Sequence, residues 1–377
     1  MMWWKWVKFA WKNVWRNRRR SLVTLGITAS GVAGILFFGG FALFTYESLQ
    51  EFSARQQGHV IIANQHYFDQ EEETPMQNGL SDWQDIRAQL TDDVKVRVVL
   101  PRIEFTGLVS NGDKSTIFVG SGVDARKEFT VTGPFFDVQA GDILPPEASE
   151  TPQVMLGHEL ADNLNAQIGS ILTILSTTSE GALNGIDVQV IGIFGTGVPE
   201  LDKRKLVVHL KTAQDLIQSA KVSTLSTYLY ATEQTHLVEQ QIQTRLPQLA
   251  TRNWSDLAFF YHKVRNLYDR IFSTVGIVIA LVVLLSVINT LSMAVMERTR
   301  EIGALAALGT LPRQTLVNFV IEGGIIGALG ALLGVLMAGV AALFLTFSEI
   351  MMPAPPGMTS GYPLRIYFSV LFLETLG

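Results

Sequence analysis

Three long stretches of the chain are almost free of charged residues, and each is long enough to cross a lipid bilayer. Segments 21–46 and 271–296 contain no Asp, Glu, Lys or Arg, and segment 316–347 contains only Glu322. A helix rises about 1.5 Å per residue, so roughly 20 apolar residues span a hydrocarbon core of about 30 Å. The sequence therefore predicts an α-helical membrane protein.

A fourth apolar stretch, 367–377, carries only Glu374 among charged residues. It is about half as long as a span, which needs roughly 20 residues. We expect this stretch to be the start of a fourth transmembrane helix, with the sequence ending inside it. The alternative is a three-span protein whose chain ends outside.

The residues before the first span fix the expected orientation. They include no acidic residue and seven basic ones: Lys5, Lys8, Lys12, Arg16, Arg18, Arg19 and Arg20. Loops rich in Lys and Arg stay in the cytoplasm, and the five tryptophans of this segment suit the headgroup zone. We expect 1–20 to lie along the inner surface as an amphipathic segment. A signal peptide is the alternative, but its apolar core would be about 7–15 residues long.

Counting spans from a cytoplasmic N-terminus divides the chain into eight segments. They are a cytoplasmic basic segment 1–20, a first span 21–46, an external domain 47–270, a second span 271–296, a cytoplasmic helix 297–315, a third span 316–347, an external loop 348–366 and the start of a fourth span 367–377.

The external region is acidic and shows mixed secondary-structure patterns. From residue 47 to residue 270 there are 29 Asp plus Glu and 18 Lys plus Arg, a balance of 18 − 29 = −11, which argues against a nucleic-acid partner. Alternating apolar residues predict strands at 58–63, 103–110, 114–123, 170–178, 186–194, 205–210 and 226–231, with Asn111-Gly112 as a hairpin turn. Helices are predicted at 81–90 with Ser81 as N-cap, 156–166, 211–220 and 233–246. This pattern is typical of an α+β domain.

No motif in the sequence predicts catalysis or cofactor binding. The six histidines are scattered and lack the close spacing of a metal pair on one helix face. The stretch 107–114 fails the phosphate-loop pattern G-x-x-x-x-G-K-[ST] because Asp113 precedes Lys114. We therefore expect a non-catalytic chain with no catalytic, cofactor-binding or metal-binding residues.

The segment between the second and third spans is charged but has a helical pattern. Glu297, Arg300 and Glu301 fall within one helical turn, and an apolar stripe follows at Ile302, Leu305, Ala306 and Leu308. Gly309 is a typical residue after a helix end, and Thr310 with Pro312 suits the start of the next helix. Two interpretations remain open: a helix that inserts into a groove on a partner, or an ordinary interfacial loop helix.

Residues 289–339, "NTLSMAVMERTREIGALAALGTLPRQTLVNFVIEGGIIGALGALLGVLMAG", resemble the core signature of FtsX/MacB-type ABC-transporter permeases. "AWKNVWRNRRRSLVTLGITASGVA" at 10–33 resembles the N-terminal segment of that family. The stretches at 100–124, 154–175 and 352–366 resemble its lipoprotein-releasing, LolC/LolE-like branch.

The resemblance implies a fold, a location and partners. Such permeases have four spans and a large periplasmic domain in the cell inner membrane, and they work as a dimer of two permease chains, either a homodimer or a heterodimer with a paralogue. ATP and Mg are expected on a separate ABC ATPase subunit, with no cofactor on this chain. The implied function is ATP-driven mechanotransmission that moves or extracts lipoprotein-like or amphipathic cargo. A periplasmic carrier and membrane lipid are the other expected partners.

The resemblance also implies roles for individual residues. The segment 297–309 would be the coupling helix that docks on the ATPase, through Glu297, Arg298, Arg300, Glu301, Ile302, Gly303, Leu305, Leu308 and Gly309. A lateral cleft for acyl chains would be lined by Phe37, Phe41, Phe44, Val275 and Ile279. These five residues have lipid contact or helix packing as the alternative. Glu322 is either a functional intramembrane charge or a side chain that simply reaches the interface.

Two other functions fit the sequence. One is an FtsX-like signalling subunit that regulates a periplasmic cell-wall hydrolase and transports nothing. The other is a membrane-tethered sensor or binding protein without an ATPase. The charged segment 297–315 disfavours the sensor, because a plain receptor needs no such helix.

Overall fold

The computed structural model describes residues 11, 15, 18–69, 72–132, 137–196, 198–307, 309 and 311–348. Within these ranges the chain divides into two compact units. The first, here the membrane unit, contains 18–47 and 264–348. The second, here the external unit, contains the described residues of 48–263. The expected fourth span 367–377, the loop 349–366 and most of segment 1–20 lie outside the described residues.

The described residues form helices and strands in the following chain order. The helices are α1 Arg18–Gln57, α2 Trp83–Thr91, α3 Ala125–Thr132, α4 His158–Asn163, α5 Pro199–Asp202, α6 Leu210–Ile217, α7 Thr235–Arg245, α8 Trp254–Leu257, α9 Phe259–Glu297, α10 Thr299–Ala307 and α11 Pro312–Phe347. The strands are β1 Val60–Asn64, β2 Val96–Ser110, β3 Ser115–Val123, β4 Asp137–Gly141, β5 Gln153–Gly157, β6 Ile171–Thr177, β7 Leu183–Gly195, β8 Lys205–His209, β9 Thr224–Leu229 and β10 Leu249–Asn253.

Three helices among the described residues are long and apolar enough to cross a membrane, by length and composition. Their candidate spans are Ser21–Gln57, Tyr261–Asn289 and Pro312–Leu345. Helix α1 continues past the predicted end at 46 as far as Gln57, and α9 begins at Phe259, well before the predicted start at 271. Hydropathy detects where a helix leaves an apolar medium, whereas the hydrogen-bonded helix continues through polar residues of good helix propensity.

Small residues bring the membrane unit's helices close together. A methyl group built on Gly334 would lie 2.7 Å from Cβ of Val32, and one built on Gly330 would lie 2.8 Å from Cβ of Thr28. Gly330 and Gly334 form a G-x-x-x-G pair on α11, which allows the close backbone approach typical of membrane helices. Helix α1 also meets α9, where Gly31 lies against Val283.

The external unit is built on one ten-stranded, mixed sheet with the order β10-β1-β9-β2-β3-β8-β5-β7-β4. Strand β6 pairs with both β2 and β7, so β2, β3, β8, β5, β7 and β6 form a closed circuit of pairings. The long strand β2 makes this possible because its first half pairs with β9 and its second half pairs with β6. The predicted α+β class of this region is confirmed.

The sequence patterns located most of these elements and missed several. The hairpin is confirmed: β2 and β3 pair antiparallel from Arg102↔Val123 to Ser110↔Ser115, around Asn111-Gly112. The predicted N-cap at Ser81 is wrong, since α2 begins at Trp83 after Asp82. Strands β4, β5 and β10 and helix α3 were not predicted. They have five to eight residues each, too few for a clear period.

His59 is a buried imidazole at the junction of α1 and β1. It is 4% exposed, its Nδ1 accepts a hydrogen bond from the Leu229 backbone N–H at 3.3 Å, and its Nε2 lies 3.0 Å from Oγ1 of Thr232. Burial lowers the pKa of His59 to about 4, a shift that nearby Arg55 reinforces and the carboxylates Glu51 and Glu233 oppose. The imidazole is therefore neutral at pH 7.

This neutral histidine makes the stability of the folded chain pH-dependent. His59 takes up a proton near pH 6.5 in the unfolded chain and only near pH 4 in the folded chain. The free energy of unfolding is therefore unaffected by this histidine above pH 6.5 and decreases as the pH falls towards 4. The expected loss is about 3 kcal/mol, from 1.36 kcal/mol per pKa unit. Thermal unfolding midpoints of the full chain at pH 4–7 measure it.

His59→Gln is expected to flatten the pH dependence between 6.5 and 4. The matched control is His236→Gln, because the His236 side chain is 81% exposed. Equal slopes for His59→Gln and the unsubstituted chain would contradict the assignment to His59.

Candidate coupling site

The segment between the second and third candidate spans forms a separate short helix. Helix α9 ends at Glu297, and α10 runs from Thr299 to Ala307 after the single residue Arg298. The Thr299 hydroxyl lies 2.7 Å from the Met296 carbonyl oxygen and donates to it, which satisfies one carbonyl at the end of α9. The Ile302 N–H donates to the Arg298 carbonyl at 2.9 Å and begins α10. The predicted short helix is confirmed.

The turn after α10 depends on Gly309. Its φ is +92°, in the left-handed region that glycine adopts without steric cost. Pro312 lies in the first turn of α11, as predicted, but Leu311 occupies the N-cap position that was predicted for Thr310. Gln314 Oε1 accepts a hydrogen bond from the Leu311 N–H at 3.2 Å. The predicted residues Leu308 and Thr310 lie outside the described residues.

Most of the described docking residues are accessible. Glu297, Arg300, Gly303 and Gly309 are exposed, and Ile302 is half-buried. Glu301 and Leu305 belong to α10 by their backbone. The exposed residues give the segment a charged surface that a second protein can contact, which matches the predicted docking role without testing it.

Arg298 differs from these neighbours because its side chain is buried. It is 8% exposed, and its guanidinium makes a bidentate ion pair with Glu322 of α11: Nη1 lies 2.9 Å from Oε2 and Nη2 lies 3.2 Å from Oε1. The sequence placed Arg298 one turn from Glu301 and grouped it with the docking residues. This geometry does not support that grouping, because Arg298 binds within its own unit.

Glu322 is likewise buried, at 8% exposed. Both interpretations of Glu322, a functional intramembrane charge and a side chain that reaches the interface, stay predictions. A bidentate guanidinium–carboxylate pair fixes both distance and orientation. The pair sets the start of α10 relative to α11, so the short helix has one defined position on the membrane unit.

Two of the five residues predicted to line a cleft, Phe41 and Ile279, make contacts between α1 and α9. The Phe41 and Phe272 ring centroids are 5.6 Å apart at 85°, an edge-to-face contact. Phe44 is 7% exposed, Phe37, Phe41, Val275 and Ile279 are half-buried, and a methyl group built on Gly34 would lie 3.9 Å from Cδ1 of Ile279. These contacts favour helix packing, and the acyl-chain cleft stays a prediction.

A polar contact near the predicted outer ends of α1 and α9 was not foreseen. The Tyr46 hydroxyl donates a hydrogen bond to the Asp269 carboxylate, and the Arg265 guanidinium lies 5.4 Å from the Tyr46 ring centroid. These residues are more than 200 positions apart along the chain, so no local pattern connects them. The available signal was composition alone: a tyrosine at the end of the first apolar stretch and charged residues just before the second.

Comparison with known proteins gives two family matches. Residues 21–245 match the MacB-like periplasmic core domain, and residues 273–376 match the FtsX-like permease C-terminal region. The lipoprotein-releasing system transmembrane protein LolC of Xylella fastidiosa is 24% identical over 383 residues, covering 96% of this chain and 90% of that protein.

Two further proteins are similar to the chain over shorter stretches. The lipoprotein-releasing system transmembrane protein LolE of Haemophilus influenzae is 24% identical over 275 residues, covering 70% of this chain and 65% of that protein. The crystal structure of the periplasmic region of MacB from Actinobacillus actinomycetemcomitans has 13% identity and a TM-score of 0.37, covering 54% of this chain and 93% of that chain.

Proposed function

The chain belongs to the family of FtsX-like permeases with a MacB-like periplasmic core domain, and from this premise we propose that it converts ATP-driven movement of a partner into work on lipoprotein-like or amphipathic cargo. An ABC permease works with an ATPase in a transporter complex. We propose that the ATPase is a separate chain, with ATP and Mg bound there.

The observation that carries the proposal is the position of α10. A short, exposed, charged helix lies between two helices of span length, and the Arg298–Glu322 pair holds its start against α11. A rigidly mounted helix transmits a push from a docked partner, whereas a mobile loop would absorb it. This arrangement favours a mechanically driven subunit over a membrane-tethered sensor.

The proposed orientation places α10 in the cytoplasm and the external unit in the periplasm of the cell inner membrane. The basic residues before Ser21 and the three arginines of 297–315 support it. In this orientation α10 is on the side where ATP is available.

The proposed cargo comes from the relatives. LolC and LolE are named as lipoprotein-releasing proteins, so we propose a lipid-modified protein as cargo, a periplasmic carrier as its receiver, and a second permease chain to complete the complex. Crosslinking of the external unit distinguishes this from a signalling role. A lipoprotein or carrier would support the proposal, and a hydrolase activator would support the FtsX-like alternative.

The direct test is loss of the partner when the exposed charges of the coupling segment are removed. The paired change Glu297→Ala and Arg300→Ala is expected to weaken binding of the co-purifying ATPase about tenfold, because charged interface contacts are typically worth about 1.4 kcal/mol or more. Quantitative pull-down from gently solubilised membranes measures it.

The matched control removes Glu200 and Lys203, an exposed pair with the same three-residue spacing in the external unit, 2.7 Å apart. It should leave ATPase binding unchanged. Absence of any ATPase after gentle solubilisation of the unsubstituted chain would contradict the proposed function.

A further inference from the structure

The end of α1 is bound to the external sheet through its backbone carbonyl groups. The last four carbonyls of a helix have no partner within the helix and usually turn to water. Here each of the four accepts a hydrogen bond from the protein. The pairs are Gly58 N–H to Ala54 O at 2.8 Å, Tyr228 Oη to Arg55 O at 3.1 Å, Arg102 Nη1 to Gln56 O at 2.7 Å, and Ser226 Oγ to Gln57 O at 2.8 Å.

Three of the four donors are side chains on two neighbouring strands. Arg102 of β2 pairs in register with Thr224 of β9, and Ser226 and Tyr228 follow on β9 in steps of two residues. Steps of two place side chains on the same face of a sheet. The sheet therefore presents three donors on one face, and together they bind three successive carbonyls at the end of α1.

Arg102 is the charged centre of this row. Its guanidinium also donates to the Glu128 carboxylate of α3 and, at 2.7 Å, to the Tyr228 hydroxyl. The Arg102 and Glu128 side chains are 11% and 8% exposed. Burial alone would lower the pKa of Arg102, but Glu128 and Tyr228 outweigh it and raise the pKa above its ordinary value, so the cation is retained. A cation at a helix C-terminus is favourable because the helix dipole is negative there.

A second attachment lies one turn earlier. The Thr232 hydroxyl donates to Glu51 Oε2 at 2.9 Å, and Glu51 also binds Arg55 one turn further along α1. The last two turns of α1 are thus fixed by both side-chain and backbone contacts. The Arg102–Glu128 pair is the buried one, and a buried ion pair often adds little stability over apolar side chains of the same volume, so we assign it the role of fixing one geometry.

We propose that Arg102 is a positioning residue that fixes the end of α1 on the external sheet, so that movement of α1 moves the sheet with it. This inference rests on the proposed function, in which a cytoplasmic motor drives the membrane helices. It assigns the mechanical attachment of α1 to three successive carbonyls and three donor side chains, with Arg102 as the charged one.

The test is hydrogen–deuterium exchange of the full chain with its co-purified ATPase in nanodiscs, without nucleotide and with ATP plus vanadate. Arg102→Gln is expected to raise the exchange rate of peptides covering 50–60 about tenfold, the factor for losing one hydrogen bond to a charged group. In the same variant, the external unit should no longer change its exchange rate when ATP and vanadate are added. The rate of ATP hydrolysis should stay within about twofold of that of the unsubstituted complex. The tenfold change in exchange rate corresponds to 1.4 kcal/mol. Arg87→Gln is the control, because Arg87 pairs with Asp124 in the same unit.

Arg102→Gln leaves the Glu128 carboxylate buried without its cation, so the variant can fail to fold. The double change Arg102→Gln and Glu128→Gln removes both charges and should give the same exchange pattern in a folded protein. Ser226→Ala removes one neutral donor and should give a smaller effect in the same peptides.

Two results would overturn the inference. Unchanged exchange at 50–60 in the double variant would show that the attachment does not hold α1. A retained nucleotide response with faster exchange at 50–60 would show that the attachment is structural only. If the unsubstituted complex itself shows no nucleotide response, the proposed function fails, and the exchange at 50–60 still reports separately on the attachment.

Discussion

Glu322→Ala is expected to cause the largest loss of any single substitution considered. It leaves the Arg298 guanidinium buried without its carboxylate, and removal of one partner of a buried ion pair costs about 3–5 kcal/mol. The start of α10 then loses its fixed position against α11. We expect a lower thermal unfolding midpoint, and about a hundredfold loss of ATP-dependent release of a lipid-modified reporter protein from nanodiscs, since about 2.7 kcal/mol corresponds to that factor.

A double substitution separates stability from positioning. Arg298→Met with Glu322→Leu removes both charges, and such apolar replacements of buried ion pairs are often neutral or stabilising. The thermal midpoint should therefore recover. Release should not recover, because two apolar side chains do not fix an orientation as a bidentate pair does.

The control for both variants is Glu147→Ala, since the Glu147 side chain is 85% exposed and lies in the external unit. It should leave midpoint and release unchanged. Full release activity in the Arg298→Met, Glu322→Leu protein would show that the pair stabilises the fold and does not position α10.

Gly309→Pro is expected to uncouple ATP hydrolysis from release while the chain remains inserted in the membrane. Proline fixes φ near −65°, and Gly309 has φ of +92°, so the turn between α10 and α11 has to change. A methyl group built on Gly309 meets no described atom within 4 Å, so any effect comes from the backbone and not from crowding. The ratio of reporter released to ATP hydrolysed measures the result.

A graded series tests the cause. Asparagine tolerates the left-handed region better than alanine, for which it costs roughly 1–2 kcal/mol, and proline cannot adopt it. The coupling ratio should therefore fall in the order Asn, Ala, Pro. Gly276→Ala in α9 is the control, because its added methyl group also meets nothing within 4 Å and its φ is not positive. A ratio that is the same in all three Gly309 variants would remove the turn from the mechanism.

The coupling helix shows how far local sequence patterns reach. Helix α10, the turn at Gly309 and the start of α11 at Pro312 were predicted from residues within one or two turns of each other. The partner of Arg298 was not, because Glu322 is 24 positions away and the nearer Glu301 offered an acceptable local pair. The spacing of residues along the chain indicates which charged residues could pair, but the packing of the helices decides which pair forms.

In the external unit, too, local sequence patterns predicted some contacts, and packing between distant segments decided others. The hairpin of β2 and β3 follows from alternation on both sides of an Asn-Gly turn, all within one continuous stretch of the chain. The donors at the end of α1 come from β2 and β9 and lie 46 to 173 positions from the carbonyls that they bind. The sequence contained no signal that a helix would end against these strands.

The sequence by itself determined that this chain has apolar helices of span length, an acidic α+β unit and a short charged helix between two of the long helices, because hydropathy, charge and periodicity are properties of neighbouring residues. Only the tertiary structure decided that Arg298 binds Glu322, that Phe41 packs on Phe272, and that Arg102, Ser226 and Tyr228 hold the end of α1. Those contacts join residues far apart in the chain, and their formation depends on how whole helices and strands pack against each other.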